Sequence, residues 1–189
     1  VYLWDRFQKE FPKFCKLHPA DNLYATSCSG RKYLREALAK FMTKEVCKTA
    51  IAPNELTIFC GSGASMDALG STVFNEGDAY IVITPGFVKF GRDMSLRNGG
   101  VMYKADISAN NYQVTEEILE ATRVKAEAEG HHVKMLIVTN PSNPTGYVYS
   151  EAELRMMLAW SRKHNLHLFS DEIYALSTKP RELCTKDEH

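Results

Sequence analysis

The sequence predicts an α/β fold, a mixed, mostly parallel sheet sandwiched by helices, and three observations carry that expectation. From about residue 31, short apolar runs of strand length alternate with stretches of helical period. Those stretches are long enough to return the chain across a sheet, so that successive strands can run parallel with both faces covered. Glycines, acidic first turns and a capping-box pattern punctuate the helical stretches where they should begin and end.

Taken in order, "RKYLREALAKFMTK" places Tyr33, Leu34, Ala37, Leu38, Phe41 and Met42 on one stripe of an amphipathic helix. "ELTIFC" reads as a short buried strand, "GSGASMDALGSTVF" as a glycine turn entering a small-residue helix, and "DAYIVIT" as a second strand. "GFVKFGRDMSLRNGG" reads as a helix ending in glycines and "VMYKAD" as a strand. "TEEILEATRVKAEAEG" is a helix with an acidic first turn and a glycine stop, and "VKMLIVT" a fourth strand. In "SEAELRMMLAWSRKHN", Ser150 with Glu153 three positions on predicts a capped helix whose Leu154, Met157, Leu158 and Trp160 face a core. "LHLFSDEIYAL" supplies the last strand and its polar edge. Residues 1–30, aromatic-rich and then loop-like, stand outside the alternation and are expected to form an N-terminal arm or part of a small domain, with residues 31–189 as the main domain.

Composition narrows the function classes. The 189 residues are 44% hydrophobic and 24% charged, as in a globular protein, and no apolar run approaches the ~20 residues of a membrane span. A cytoplasmic location is the expectation. Lys+Arg and Asp+Glu are equal at 23 each, so no net field draws nucleic acid or anionic lipid. Five cysteines without CxxC spacing favour free thiols over disulfides or zinc. The histidines, including His131-His132 and the His164/His167 pair, lack a completing ligand set and read as surface or structural residues.

In a parallel sheet, ligands gather beyond the carboxyl ends of the strands. Four segments therefore matter. "CGSGAS" can turn successive backbone N–H groups and a helix N-terminus toward a phosphate, although an unliganded glycine turn fits the same residues. It is a poor dinucleotide fingerprint, because Met66 stands where a third glycine should fall. "TPGF" follows the second strand. "SDEIY" sets Asp171 and Glu172 directly after an apolar strand, where a carboxylate needs a partner such as a protonated ring nitrogen, a helix N-terminus or a metal. "TNPSNPTG" is the most specific: its prolines restrict Asn140 and Asn143, leaving rigid amides able to donate to a fixed oxygen.

Together, "LREALAKFM", "NEGDAYIVITPGF", "VKMLIVTNPSNPTG" and "HLFSDEIYAL" resemble, in order, the pyridoxal-phosphate enzymes of fold type I, the class I/II aminotransferases. Within that family the resemblance is nearest to 1-aminocyclopropane-1-carboxylate synthase and its animal relatives, and it covers nearly the whole chain. It implies the large domain of a pyridoxal-phosphate-dependent transferase, incomplete at the C-terminus. By that resemblance Asp171 pairs with the ring nitrogen of pyridoxal 5'-phosphate, Asn143 and Tyr174 meet the ring's phenolic oxygen, Ser62, Gly63 and Ala64 hold the phosphate, and Phe87 stacks on the ring. Asp171 and Tyr174 would then serve catalysis as well as binding. The family's cofactor-linking lysine falls beyond His189, and Lys179 and Lys186 lie too early to replace it. Cys28 stands at the position of a tyrosine that reaches the neighbouring subunit's phosphate, and Gly86 at that of the first aromatic in the Thr-Pro-aromatic-aromatic run. The resemblance implies a homodimer acting on amino acids, by transamination or by ring closure. The alternative expectations are a chain that is inactive by itself and acts through dimerisation, and a nucleotide-binding α/β domain resting on "CGSGAS" alone.

Overall fold

The computed structural model describes residues 27–178, together with 5–6 and 9–11. Most of the expected N-terminal arm and the lysines of the C-terminal tail lie outside the described residues. Chain contacts divide the protein into two compact units, Val1–Ile58 and Phe59–His189.

In the first unit, α1 (Lys32–Phe41) runs on into a wider π-helical turn at Met42–Cys47 and packs against a short turn at Pro53–Glu55. The Arg35 guanidinium donates to the carbonyls of Gly30 (3.2 Å) and Pro53 (2.8 Å), which turns the Arg35–Ala39 face inward. Ala39 is buried, whereas Tyr33, Leu34 and Phe41 of the anticipated stripe are 62%, 42% and 49% exposed. The helix is therefore as expected, and its packed face is not. "ELTIFC" is a correction too: residues 56–59 form no regular structure, the Ile58 N–H donates to the Ser29 carbonyl at 3.0 Å, and Phe59 is 44% exposed. A strand needs a partner, and none of the strands below pairs with this segment.

The second unit holds the sheet. Its elements are α2 (Ser62–Val73), β1 (Ala79–Thr84), α3 (Phe90–Asp93), β2 (Val101–Asp106), α4 (Glu116–Ala128), β3 (Val133–Thr139), α5 (Glu151–Lys163) and β4 (His167–Asp171). The order across the sheet is β2-β1-β3-β4, and every pairing is parallel. Position explains composition: β1 and β3 are central and nearly continuously buried, while β2 and β4 are edges carrying Lys104 and His167 outward.

Successive strand residues point to opposite faces, and each face has its own core. On one, Ala79, Ile81, Ile83, Leu136 and Val138 pack under Leu119 of α4 and Met157 and Trp160 of α5. On the other, Tyr80, Val82, Met135 and Ile137 pack against Met66 of α2 and Phe90 and Met94. Lys134 is an extra residue in the β1–β3 ladder, since Ala79 pairs with Val133 and Tyr80 with Met135. This bulge lets Val133 and Leu136 share a face despite their odd spacing.

Helix starts follow the local chemistry. The Thr115 hydroxyl accepts from the Ile118 N–H at the head of α4, and Ser150 and Glu153 form a reciprocal capping box on α5. The stretch expected to be one helix over 86–100 is helical only at Phe90–Asp93 and continues as turns. There the chain closes on α2: a Cβ at Gly70 would run into the Met94 carbonyl oxygen, so α2 and the turn touch backbone to backbone. Leu158, assigned to the core from its spacing, is 41% exposed, while Met157 and Trp160 are buried.

Candidate cofactor site

Because β1, β3 and β4 run the same way, their carboxyl ends share one edge of the sheet, and α2 begins beside them. A cleft of about 90 Å³ opens at this edge. Ser62, Phe87, Asn143, Asp171 and Tyr174, singled out from four separate sequence segments, all line it. Met66, Thr139 and Ile173 complete the wall, and none of the three was anticipated. Gly63 and Ala64 do not line the cleft; they lie in the first turn of α2, Gly63 alongside the Asp93 carboxylate.

The turn after β3 shows why the two asparagines differ. The Asn140 side-chain oxygen accepts from the Tyr149 N–H at 3.1 Å, while its backbone N–H donates to the Asp171 carbonyl at 3.3 Å. Asn140 therefore ties the turn together. Asn143 instead presents its Nδ2 to the Tyr174 hydroxyl at 3.1 Å, inside the cleft. Backbone bonds from Ser142 N–H to the Tyr147 carbonyl and from Gly146 N–H to the Ser142 carbonyl, both 2.8 Å, close the loop between them. Tyr149, buried beneath, anchors it; burial pushes its hydroxyl pKa up to about 12, with Glu153 adding to the rise. The Asn140-Pro141, Asn143-Pro144 and Thr84-Pro85 bonds are cis.

Asp171 ends β4 with its carboxylate half-buried. Oδ2 accepts from the Thr139 hydroxyl and Oδ1 from the Ile173 N–H, each at 3.3 Å. Among the described residues no cation pairs with it, so the charge has donors but no counter-ion. That is an acceptor suited to a protonated nitrogen. At the opposite wall, α2 follows Gly61 without a side-chain cap or an acidic residue in its own first turn, so its N–H groups can serve an anion on the cleft side, with the Asp93 carboxylate beside Gly63. Phe87 packs edge-on against Phe90 at 5.4 Å between ring centroids, and Gly86 before it admits no side chain because a Cβ would strike the Ile83 carbonyl oxygen. That contact is the local reason an aromatic is absent at position 86.

These groups fit a phosphorylated pyridine: an acid for the ring nitrogen, an amide and a phenol for a ring oxygen, an aromatic for the ring face and a helix N-terminus for the phosphate. The cleft is smaller than the roughly 300–1,000 Å³ of ordinary small-molecule sites. Ile173 and Tyr174, 64% and 38% exposed, line it from the turn after β4. A second hollow of about 410 Å³ lies behind the Asn143–Tyr174 bridge, lined by Pro141, Ser142, Pro144 and Gly146 among others. Among the described residues no lysine lines the cleft, and no helix is long and apolar enough to cross a membrane.

A profile of the family described as Aminotransferase class I and II matches residues 9–179. The chain is 35% identical over 157 residues to 1-aminocyclopropane-1-carboxylate synthase 1 of Prunus mume, an alignment covering 81% of this chain and 32% of that protein. It is 32% identical over 177 residues to synthase 3 of Oryza sativa subsp. japonica, covering 92% and 39% respectively. Among solved structures, a double mutant of Thermus thermophilus aspartate aminotransferase superposes with a TM-score of 0.71 at 25% identity, over 88% of this chain and 40% of that one. Alanine aminotransferase from Pyrococcus furiosus superposes at 0.72 and 20% identity, over 93% and 41%. The chain thus spans 32–39% of the length of the two synthases.

Proposed function

The chain belongs to the class I and II aminotransferase family, whose members depend on pyridoxal 5'-phosphate, and from that premise we propose that it carries the cofactor-binding part of an amino-acid-transforming enzyme. The reaction is a transamination or one like that of 1-aminocyclopropane-1-carboxylate synthase, the name borne by the relatives at 32–35% identity. The observation that carries the reading is the convergence of Ser62, Phe87, Asn143, Asp171 and Tyr174 on one cleft at the carboxyl ends of parallel strands.

Bound there, the cofactor supplies an electron-withdrawing ring for chemistry at an amino acid's α-carbon. The residues of this chain hold it in place. Asp171 keeps a proton on the ring nitrogen, because a carboxylate beside that nitrogen favours its charged form. Asn143 and Tyr174 donate to the ring oxygen in place of the bond they share with each other. Phe87 covers one face, and the Ser62 hydroxyl with the first turn of α2 takes the phosphate. Among the described residues no lysine lines the cleft, so these residues would hold the cofactor through noncovalent contacts. The full-length protein is proposed to be a homodimer.

Titrating the chain with pyridoxal 5'-phosphate, and following the Asn143 side-chain amide and the backbone amides of residues 62–64 by NMR, tests the reading. Saturable shifts at both places are expected, and they should weaken in Asp171→Asn. Shifts confined to other residues, or none, would overturn it.

A further inference from the structure

We propose that Thr139 is a positioning residue for Asp171, fixing the plane in which the carboxylate meets the nitrogen of a bound pyridine ring. The inference rests on the reading that the cleft takes pyridoxal 5'-phosphate, and it adds a residue to which that reading gives no part.

Thr139 is the last residue of β3 and Asp171 the last of β4, and the parallel ladder pairs them directly. Paired residues of a parallel ladder project to the same face, so the hydroxyl and the carboxylate stand side by side by virtue of strand register. Thr139 Oγ1 donates to Asp171 Oδ2 at 3.3 Å, and both residues line the cleft. The backbone beneath is tied as well, because the next residue, Asn140, donates its N–H to the Asp171 carbonyl at 3.3 Å.

A carboxylate at a strand end turns readily about its terminal torsion, which is broad and roughly two-fold. Here the two oxygens have different donors: Oδ2 has the Thr139 hydroxyl and Oδ1 the Ile173 N–H. Two donors on two oxygens hold a plane that one donor does not. The Ile173 donor is a backbone N–H on an exposed turn outside the sheet. The Thr139 donor belongs to a buried central strand, and its β-branched side chain is stiff at χ1. Thr139 is therefore the donor that stays in place. Each carboxylate oxygen retains a lone pair for the ligand.

The test compares pyridoxal 5'-phosphate with its analogue in which the ring nitrogen is replaced by C–H, titrated into the chain with the Asn143 amide as the NMR probe. Thr139→Val keeps the shape and removes the donor, Thr139→Ala removes both, and Thr139→Ser keeps the donor; backbone spectra confirm that each variant is folded. Thr139→Val and Thr139→Ala are expected to weaken binding of the nitrogen-bearing ring about fivefold, to leave the analogue's affinity unchanged, and to be rescued by serine. Equal loss for both compounds, or no loss for either, overturns the role of Thr139 while leaving the site intact. A native chain that binds neither compound at Asn143 overturns the proposed function, and this inference with it. A native chain with no preference for the nitrogen-bearing ring overturns the part given to Asp171.

Discussion

The two asparagines of the turn after β3 differ in what their amides meet, and substitution should separate them. Asn140 accepts from the buried Tyr149 segment, so Asn140→Ala leaves that N–H without its acceptor and is expected to cost about 1–3 kcal/mol in chemical denaturation. Asn143→Ala removes a bond to the partly exposed Tyr174 hydroxyl and should change stability by less than about 0.5 kcal/mol while abolishing cofactor-induced shifts. Equal destabilisation by the two would refute the division. A second residue-level prediction concerns pH. Arg123 beside Glu120 holds that carboxyl at about 2 against an ordinary 4.5, with the Trp160 N–H, the Arg123 charge and His164 acting in the same direction and burial opposing them. A carboxyl depressed in the folded state stabilises the protein above its unfolded value, and that contribution is lost as pH falls from about 4.5 toward about 2. Glu120 is about a third exposed, so solvent screens the pair and the effect is about 0.5–1 kcal/mol. Glu120→Gln should therefore lower the melting temperature at neutral pH and match the native protein near pH 2. A constant difference across that window would rule out the linkage. Both cases show how much a motif conveys without structure: "TNPSNPTG" marks the turn, but only the partners Tyr149 and Tyr174 tell its asparagines apart.

Among the elements, α2 is the one whose placement depends most on a missing side chain. Gly70 meets the Met94 carbonyl oxygen, with the Asn98 amide also close, so Gly70→Ala has to push α2 away from the turn that carries them. Alanine favours a helix over glycine by about 1 kcal/mol, but forcing a methyl against fixed backbone costs typically 1–3 kcal/mol or more. The expected result is net destabilisation, and because α2 carries Ser62 and Met66 into the cleft, weaker cofactor binding too. A more stable Gly70→Ala variant with unchanged binding would show that the contact is soft. The elements legible in the sequence were those with strong local signals: the apolar runs of β1 and β3, the acidic first turn of α4, the Ser150 cap, and the helical period of α4 and α5. Those misread depended on distant partners. "ELTIFC" has strand composition and, among the described residues, no paired strand, and the α1 stripe is apolar while Arg35 turns the other face inward. The site divides the same way. Five wall residues took roles from motifs readable along the chain, whereas Thr139, though it opens "TNPSNPTG", gains its part only through its register with Asp171, a neighbour made by the sheet.

Across the whole molecule, stability and site chemistry come from different parts of the same unit. Every buried member of the two clusters lies between Met66 and Trp160, and among the described residues the first unit contributes Ala39 to the buried hydrophobic set. The sheet core therefore owes little to residues 27–58. Amide exchange should reveal that separation. Amides of β1 and β3, enclosed on both faces, should exchange only on global unfolding, those of the edge strands β2 and β4 sooner, and those of α1 through a separate and less costly opening. Amides of α1 as protected as those of β3 would refute this, since they would show the two units opening as one. The candidate site adds a further condition. Its wall includes the end of an edge strand, β4, and the exposed turn after it, both drawn from the less protected part of the unit. A ligand that binds only the folded wall stabilises that wall by mass action, so adding pyridoxal 5'-phosphate should slow exchange in residues 139–147 and 168–174. The central amides of β1 already exchange by global opening, and they should slow by no more than the binding free energy contributes to the whole protein. Cleft amides that exchange as fast with pyridoxal 5'-phosphate as without it would place the bound cofactor elsewhere.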